Sequence, residues 1–317
     1  MTTRTGRRLA TVLLGSATAL LGFAAPAAAA PAGGGLDADV SVGRLVLDPT
    51  ERGYRGDLPI TVTNLGRVDT YFSVTIVEPV AGSIGNLSPD SPCGFQGLQD
   101  NRRVVNCLVP GPNLKPGERR TFSVAFQALT TPRDVAMTAT GGQVSVNVGD
   151  GSPEVADGES FVARFRSTSG SLRNPVPYVQ DSQARASITT AGAATLVRQE
   201  DGSYQGRLPV TVRWSGDAAH DFLYVDATSL PAGVAIWGTD PQDLPSFFTN
   251  FVVPGGRFMA GEERSFDVLL RAEPGTTAGD LGSVTFELST RWDSIAVADA
   301  DPADNAATFN VTAADAS

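Results

Sequence analysis

The stretch YRGDLPITV at 54–62 decides the fold, because it returns as YQGRLPVTV at 204–212. The two segments share Tyr, Gly, Leu, Pro, Thr and Val at an offset of 150 residues. Apolar residues occupy every second position, as in Leu58, Ile60 and Val62, which is the period of a strand with one buried face. A strand that occurs twice in this way predicts a duplicated β-sheet unit.

Two further segments repeat in the same order. LKPGERRTFSV at 114–124 returns as FMAGEERSFDV at 258–268. The Asp-rich segment GDGSPEVADGESF, which ends at Phe161, returns as DADPADNAATF, which ends at Phe309. The stretches between them alternate at period two and are separated by segments rich in Gly, Pro, Asp and Asn. Short strands at such spacing are typical of β-sandwiches.

We therefore predict an all-β chain of two tandem immunoglobulin-like, Greek-key β-sandwich domains. We place the first copy of the repeat at 37–166 and the second copy at 182–317. The segment RSTSGSLRNPVPYVQD is polar and contains two prolines, so we place a linker at 167–181.

The N-terminus resembles an export signal. Three arginines precede an apolar stretch from Leu9 to Phe23 and a run of alanines, which predicts a cleaved signal peptide at 1–30. The stretch is interrupted and shorter than the roughly 20 apolar residues of a membrane span. Residues 31–36 would form a flexible lead-in, and no span is expected in the mature protein.

The charge of the mature chain argues against some partners. Without residues 1–30 it has 21 basic and 34 acidic residues, a net charge of −13. Nucleic acid is not an expected partner, because phosphate binding needs clustered Lys and Arg. We expect a secreted, extracellular location, either free or associated with the cell wall.

Three segments resemble secreted bacterial immunoglobulin-like repeats of the DUF11 and CARDB families. DATSLPAGVAIWG at 226–238 and NCLVPGPNLKPGERRTFSV at 106–124 are similar to DUF11 segments, and DADPADNAATFNV at 299–311 is similar to the CARDB closing strand. The resemblance implies a spacer, adhesin or accessory role. The chain departs from these families in showing no enzymatic or anchoring partner domain and in lacking cysteines in its second copy.

Cys93 and Cys107 are the two cysteines of the chain. In an exported protein they predict a disulfide within the first copy. The alternative, a two-thiolate metal site, lacks histidine partners nearby.

Two motifs have both a functional and a structural interpretation. Arg55, Gly56 and Asp57 spell a tripeptide that integrins recognise, but the second copy keeps only the glycine, which favours a role in the strand. Asp299, Asp301 and Asp304 are weak candidates for calcium ligands; their spacing is not that of an EF-hand, and a turn with Asx bonding is the alternative.

The segment 237–258 is longer than its counterpart in the first copy and rich in aromatic residues. Exposed aromatic side chains on a sandwich loop would make a binding face. Alternatively, these rings cover one end of the core or pack against the first copy. The candidates are Trp237, Phe247, Phe248, Phe251 and Phe258.

Catalysis is not expected. His220 is the sole histidine, no phosphate-binding Gly-rich loop is present, and no cofactor or catalytic residue can be assigned. We expect a non-catalytic secreted or envelope-associated binding or adhesion module, whose partner is an unknown protein or envelope component. The alternatives are a purely structural spacer and, least favoured, a hydrolase that uses paired carboxylates.

Overall fold

The computed structural model describes residues 37–84, 93–149, 155–242 and 246–315. These residues form β-strands and one short 3-10 helix, and contain no α-helix. None of their helices is long and apolar enough to cross a membrane. The predicted signal peptide and lead-in lie outside the described residues.

The first copy contains β1 (Ala38–Val42), β2 (Leu45–Thr50), β3 (Gly53–Asn64), β4 (Phe72–Val77), β5 (Cys93–Gln99), β6 (Arg102–Leu108), β7 (Arg119–Ala128), β8 (Met137–Val148) and β9 (Val155–Phe165). The predicted linker contains β10 (Val176–Pro177). The second copy contains β11 (Ala186–Thr190), β12 (Ala193–Arg198), β13 (Tyr204–Trp214), β14 (Phe222–Ala227), β15 (Val234–Asp240), β16 (Ser246–Phe247), β17 (Asn250–Val252), β18 (Glu262–Ala272), β19 (Gly279–Trp292), β20 (Ile295–Ala296), the 3-10 helix Pro302–Asp304 and β21 (Ala306–Ala314).

The first ten strands form one large sheet in the order β1-β3-β2-β9-β8-β4-β6-β5, with β7 on β3 and β10 on β8. The sheet folds over its own apolar face. Tyr54 of β3 meets Phe165 of β9 edge to face at 5.1 Å between ring centroids, and Phe126 of β7 meets Phe161 of β9 at 5.9 Å. This two-layer packing is compatible with a β-sandwich.

The second copy forms its own large sheet, in the order β15-β18-β13-β12-β21-β19-β14-β17-β16, with β11 on β13 and β20 on β19. Its apolar core is separate from that of the first copy. Phe251 of β17 meets Phe266 of β18 at 5.8 Å between centroids, so strands far apart in the sheet face each other across this core.

Corresponding strands of the two copies pair in the same way. β3 pairs with β1, β2 and β7, and β13 pairs with β11, β12 and β18; β2 runs parallel to β9, and β12 to β21. The shared glycine has a steric role in both copies. A Cβ on Gly56 would lie 1.9 Å from the Val46 carbonyl oxygen, and one on Gly206 would lie 2.4 Å from that of Thr195.

Part of the predicted linker packs against the first copy. β10 pairs with β8, and the Tyr178 ring stacks on Phe165 at 5.0 Å between centroids. The Tyr178 hydroxyl donates to Asp217 Oδ2 of the second copy at 2.8 Å. Residue 178 therefore touches both copies.

The two copies lie in one compact unit, and polar contacts together with a small apolar cluster of Ala81, Ala219 and Trp292 join them. Glu78 is buried and accepts hydrogen bonds from the backbone N–H groups of Gly82 and Arg103 at 2.6 and 2.8 Å. The Arg103 side chain then forms an ion pair with Asp221 of the second copy. Burial raises the pKa of Glu78.

Arg257 of the second copy reaches across the interface to the first copy. Its guanidinium donates to the carbonyl oxygens of Gly82 at 2.7 Å and His220 at 3.0 Å. Burial lowers the pKa of Arg257 to about 10, so the side chain is charged at neutral pH. Trp292 Nε1 donates to the Asn101 carbonyl at 3.0 Å, and the interface therefore joins the copies at several points.

Candidate binding face

Three of the five predicted aromatic residues are exposed. Trp237, Phe247 and Phe248 have exposed fractions of 57%, 61% and 71%, and we call these three side chains the aromatic face. Phe251 and Phe258 are instead fully buried, which corrects their inclusion in a binding loop. Phe251 points inward from β17, and Phe258 lies under the Arg264 guanidinium, whose carbon is 3.7 Å from the ring centroid.

A β-bulge presents Trp237. Along β15, Ile236 faces Leu270 of β18 and Gly238 faces Leu269, so Trp237 is the extra residue without a partner in the register. A bulge bends its strand and redirects a side chain. Ile236 and Gly238 are buried, whereas the side chain between them points outward.

The two phenylalanines come from the hairpin of β16 and β17. Phe247 pairs with Asn250, and Phe248 follows in the turn. The hairpin contacts β15, because the Phe248 carbonyl oxygen accepts from Ile236 N–H at 2.8 Å. The aromatic face therefore projects from backbone segments that touch each other.

Trp237 borders a groove on the outer face of strands β13, β15 and β18. The groove has a volume of about 350 Å³. Within it, Arg207 donates to Asp240 Oδ2 at 2.5 Å and Asp267 Oδ2 at 3.1 Å. These hydrogen bonds raise the pKa of Arg207. We call this cavity the Trp237 groove. It is lined by Gln205, Gly206, Arg207, Trp237, Leu269, Leu270 and Arg271.

Arg271 lies beside the indole. Its guanidinium carbon is 5.0 Å from the Trp237 ring centroid, within the range of a cation–π contact. Arg271 also donates to Asp201 Oδ2 at 3.0 Å. The hydrogen bonds from Ser203 to the Asp201 carboxylate lower the pKa of Asp201.

Sequence reasoning missed Gln205, Arg207 and Arg271. These residues occupy outward positions of strands in which buried and exposed residues alternate. Outward positions are polar in any half-exposed strand, so a polar residue there does not by itself indicate a binding site. Comparison of the copies places Gln205 and Arg207 where the first copy has Arg55 and Asp57, but this difference favours a role of the shared glycine in the strand and does not by itself indicate a site. The bulge at Trp237 can be recognised only from the register of β15 against β18.

The predicted disulfide forms. Cys93 of β5 and Cys107 of β6 are directly opposite in the register and are joined at 2.01 Å. The bridge ties the edge strand β5 to its neighbour. The disulfide lies in the first copy, whereas the aromatic face lies in the second copy.

The integrin tripeptide lies inside β3. Residues 55–57 pair with 125–127 of β7, and Arg55 also pairs with Asp48 of β2. The Arg55 guanidinium donates to Gln127 Oε1 at 3.3 Å. Gly56 allows the close approach of β2 described above, so the tripeptide is part of a paired strand.

The aspartates before β21 bond to backbone. Asp299 accepts from the N–H groups of Ala186 at 3.0 Å and Asp301 at 2.9 Å, and Asp301 accepts from Ala303 N–H at 3.3 Å. Slight burial, followed by the charges of Asp301 and Asp299, raises the pKa of Asp304. The described residues hold no group of three His, Cys, Asp or Glu side chains arranged for a metal ion. The calcium assignment therefore has no support in this geometry.

His220 is a core residue near the interface. Its Nε2 accepts from Phe258 N–H at 2.9 Å, which leaves Nδ1 to donate to the Ala218 carbonyl at 3.0 Å. Burial lowers the pKa of His220 to about 4. The ring packs on Trp214 at 4.3 Å between centroids and is satisfied within the fold.

Comparison with known proteins assigns no family. No family profile and no curated protein matches the chain, so the DUF11 and CARDB resemblance stays a prediction. Similar solved structures include a Porphyromonas gingivalis protein of unknown function, at 14% identity and TM-score 0.20, covering 87% of this chain and 98% of that one. The CARDB domain of a Pyrococcus furiosus protein is 13% identical, with TM-score 0.26 and coverage of 43% and 94%.

A third similar structure is the CupB6 tip adhesin from Pseudomonas aeruginosa. It is 11% identical, with TM-score 0.28, and the match covers 89% of this chain and 99% of that chain. At these TM-scores the similarities carry no functional argument.

Proposed function

We propose that the chain is a non-catalytic binding module of the extracellular or envelope space, built as two tandem immunoglobulin-like sandwiches behind a cleaved signal peptide. It attaches to a protein or other envelope component through the aromatic face. The observation that carries this proposal is the exposure of Trp237, Phe247 and Phe248 on adjoining backbone segments. Single exposed apolar residues are ordinary, whereas grouped large rings are enriched in binding surfaces.

Two further features support this proposal. The Cys93–Cys107 disulfide fits an oxidising compartment outside the cytoplasm. The bulge at Trp237 presents a large ring to solvent at the cost of an unpaired strand position, which is a feature of functional strand edges.

A capture experiment tests the proposal. The mature protein, residues 31–317, is immobilised and incubated with cell-wall fractions, whole cells and secreted proteins of its source. The test variant carries Trp237→Ala, Phe247→Ser and Phe248→Ser. The matched control carries Tyr71→Ser and Phe95→Ser, which remove exposed rings of the first copy, 42% and 41% exposed.

Specific capture that is lost in the test variant and kept in the control supports the binding face. Capture that survives in the test variant overturns the assignment of the face. Absence of capture by every form, with all variants folded by circular dichroism, overturns the binding function in favour of a structural spacer. Release of reducing sugar ends from captured material would contradict the non-catalytic assignment and favour the carboxylate hydrolase.

A further inference from the structure

Two arginines and three aspartates form the ion pairs at the Trp237 groove, so the positive charge of each arginine is compensated. Arg207 is bonded to Asp240 and Asp267, and Arg271 is bonded to Asp201. Neither arginine therefore offers an uncompensated charge to a ligand. Because the whole chain has a formal net charge of −10, an anionic polymer would also meet long-range repulsion.

The groove combines one aromatic plane with planar polar groups. Arg271 covers part of the indole, but Trp237 keeps 57% of its surface exposed. Among the lining residues, the amide of Gln205 is both a donor and an acceptor, and the guanidinium of Arg207 is a donor. This set can bond groups that both donate and accept, while the ring packs against an apolar surface.

A peptide fits the groove less well. Recognition of an extended peptide commonly uses the free backbone groups of a sheet edge. Here β13 and β18 pair along their whole contact. β15 is the terminal strand of the sheet, but next to the groove its Ile236 N–H donates to the Phe248 carbonyl oxygen and its Trp237 carbonyl oxygen accepts from Ser246 Oγ at 3.5 Å. The groove thus lies on a sheet face, where side chains must supply recognition.

We propose that the Trp237 groove binds a neutral saccharide unit of a polysaccharide. A sugar ring has an apolar C–H face that can pack on the indole, and its hydroxyl groups both donate and accept at the rim. The volume of about 350 Å³ lies at the lower end of the range of about 300–1,000 Å³ for small-ligand sites. This inference rests on the proposed function, because it names the ligand class of the same face.

The test uses the mature protein on an array of neutral and acidic oligosaccharides, followed by titration calorimetry with the best neutral ligand. We expect binding to neutral sugars. Trp237→Ala should weaken affinity at least about tenfold, as for a central aromatic contact. Trp237→Tyr should retain most of the affinity, Gln205→Ala should lower it severalfold, and Phe95→Ala, in the first copy, should leave it unchanged.

Three outcomes overturn the inference. They are failure to bind any neutral sugar on the array, preference for acidic sugars, and neutral-sugar affinity that Trp237→Ala leaves unchanged. The capture experiment separates these failures from failure of the proposed function. Capture of protease-sensitive material through the aromatic face, without sugar binding, would leave the binding module standing and refute the saccharide ligand.

Discussion

Gly206 shows how a conserved feature of the repeat acts through backbone contact. A Cβ at this position would meet the Thr195 carbonyl oxygen at 2.4 Å and Leu196 Cδ2 at 2.7 Å. We expect Gly206→Ala to destabilise the protein by about 1–3 kcal/mol, because β12 must move away. Urea unfolding measures the change. Gly94→Ala is the matched control in a strand, since no atom lies within 4 Å of its added Cβ, and an equal loss in both would contradict the steric explanation.

His220 provides a pH prediction at the same scale. The folded chain protonates it at about pH 4, whereas the unfolded chain does so near its ordinary pKa of 6.5. Between these values the unfolded chain binds the extra proton. The contribution to stability is therefore complete above pH 6.5 and lost as the pH falls toward 4, by about 3 kcal/mol in total.

Proton NMR measures this directly, because the chain has one histidine. An imidazole midpoint near pH 6.5 in the folded protein would contradict the buried, neutral ring. In unfolding experiments, His220→Gln should show a flatter pH dependence than the parent. Glu78 acts in the opposite direction: because burial raises its pKa, its contribution to stability is lost as the pH rises. This contribution is the same in the parent and in His220→Gln.

At this scale the sequence identified exposed and buried rings alike as candidates. Trp237 and Phe251 both lie in an aromatic segment between turns. Phe251 faces Ser246 across a short hairpin and packs against Phe286 in the core, whereas Trp237 is turned out by a bulge. That distinction depends on register and therefore could not be read from periodicity over so few residues.

At the scale of elements, alternation predicted the long strands well. Apolar residues alternate at period two at 58–62, 72–76, 122–126 and 144–148. These stretches fall within β3, β4, β7 and β8. The short strands β5 and β16 were not predicted as separate elements. β5 reads CGFQGLQ, in which glycine interrupts the apolar period, and β16 spans two residues.

The disulfide between β5 and β6 gives a prediction for this hairpin. Closing a loop of 14 residues should contribute about 3 kcal/mol in the chain-entropy model. Reduction should therefore lower the melting temperature of the mature protein. A Cys93→Ala, Cys107→Ala variant is the control and should not respond to reductant. Two alkylated thiols in the untreated secreted protein, detected by intact mass, would show that the bridge is absent.

At the scale of the whole molecule, the polar interface should make the two copies one mechanical unit. The composition of the linker favours mobile domains unless residues such as Val176 and Tyr178 dock into an interface. In the structure, Arg257, Trp292 and Tyr178 all bond across the two copies. The sequence could not reveal this interface, because the residues that bond across it are more than 35 positions apart and share no motif. Small-angle scattering should therefore give one rigid separation of the copies.

Arg257→Met tests the interface. It removes the hydrogen bonds to Gly82 and His220 and leaves two buried carbonyl oxygens unsatisfied, so we expect a loss of about 2–4 kcal/mol. Calorimetry should also show the single transition splitting in two. Arg213→Met removes a surface pair with Glu263 and should change little. Identical melting in parent and Arg257→Met would contradict a contribution of Arg257 to the interface, and a broad range of separations in the scattering of the parent would contradict a rigid interface.

In the proposed function, the second copy binds its partner through Trp237. Of the three tryptophans, Trp214 and Trp292 are 1% exposed, whereas Trp237 is 57% exposed, so acrylamide should quench Trp237 selectively. The most direct measurement is this quenching with and without solubilised cell-envelope material. The account predicts that the material protects the quenchable fraction, and that Trp237→Phe abolishes both that fraction and its protection. Unchanged quenching, with the material bound elsewhere or not at all, would contradict it.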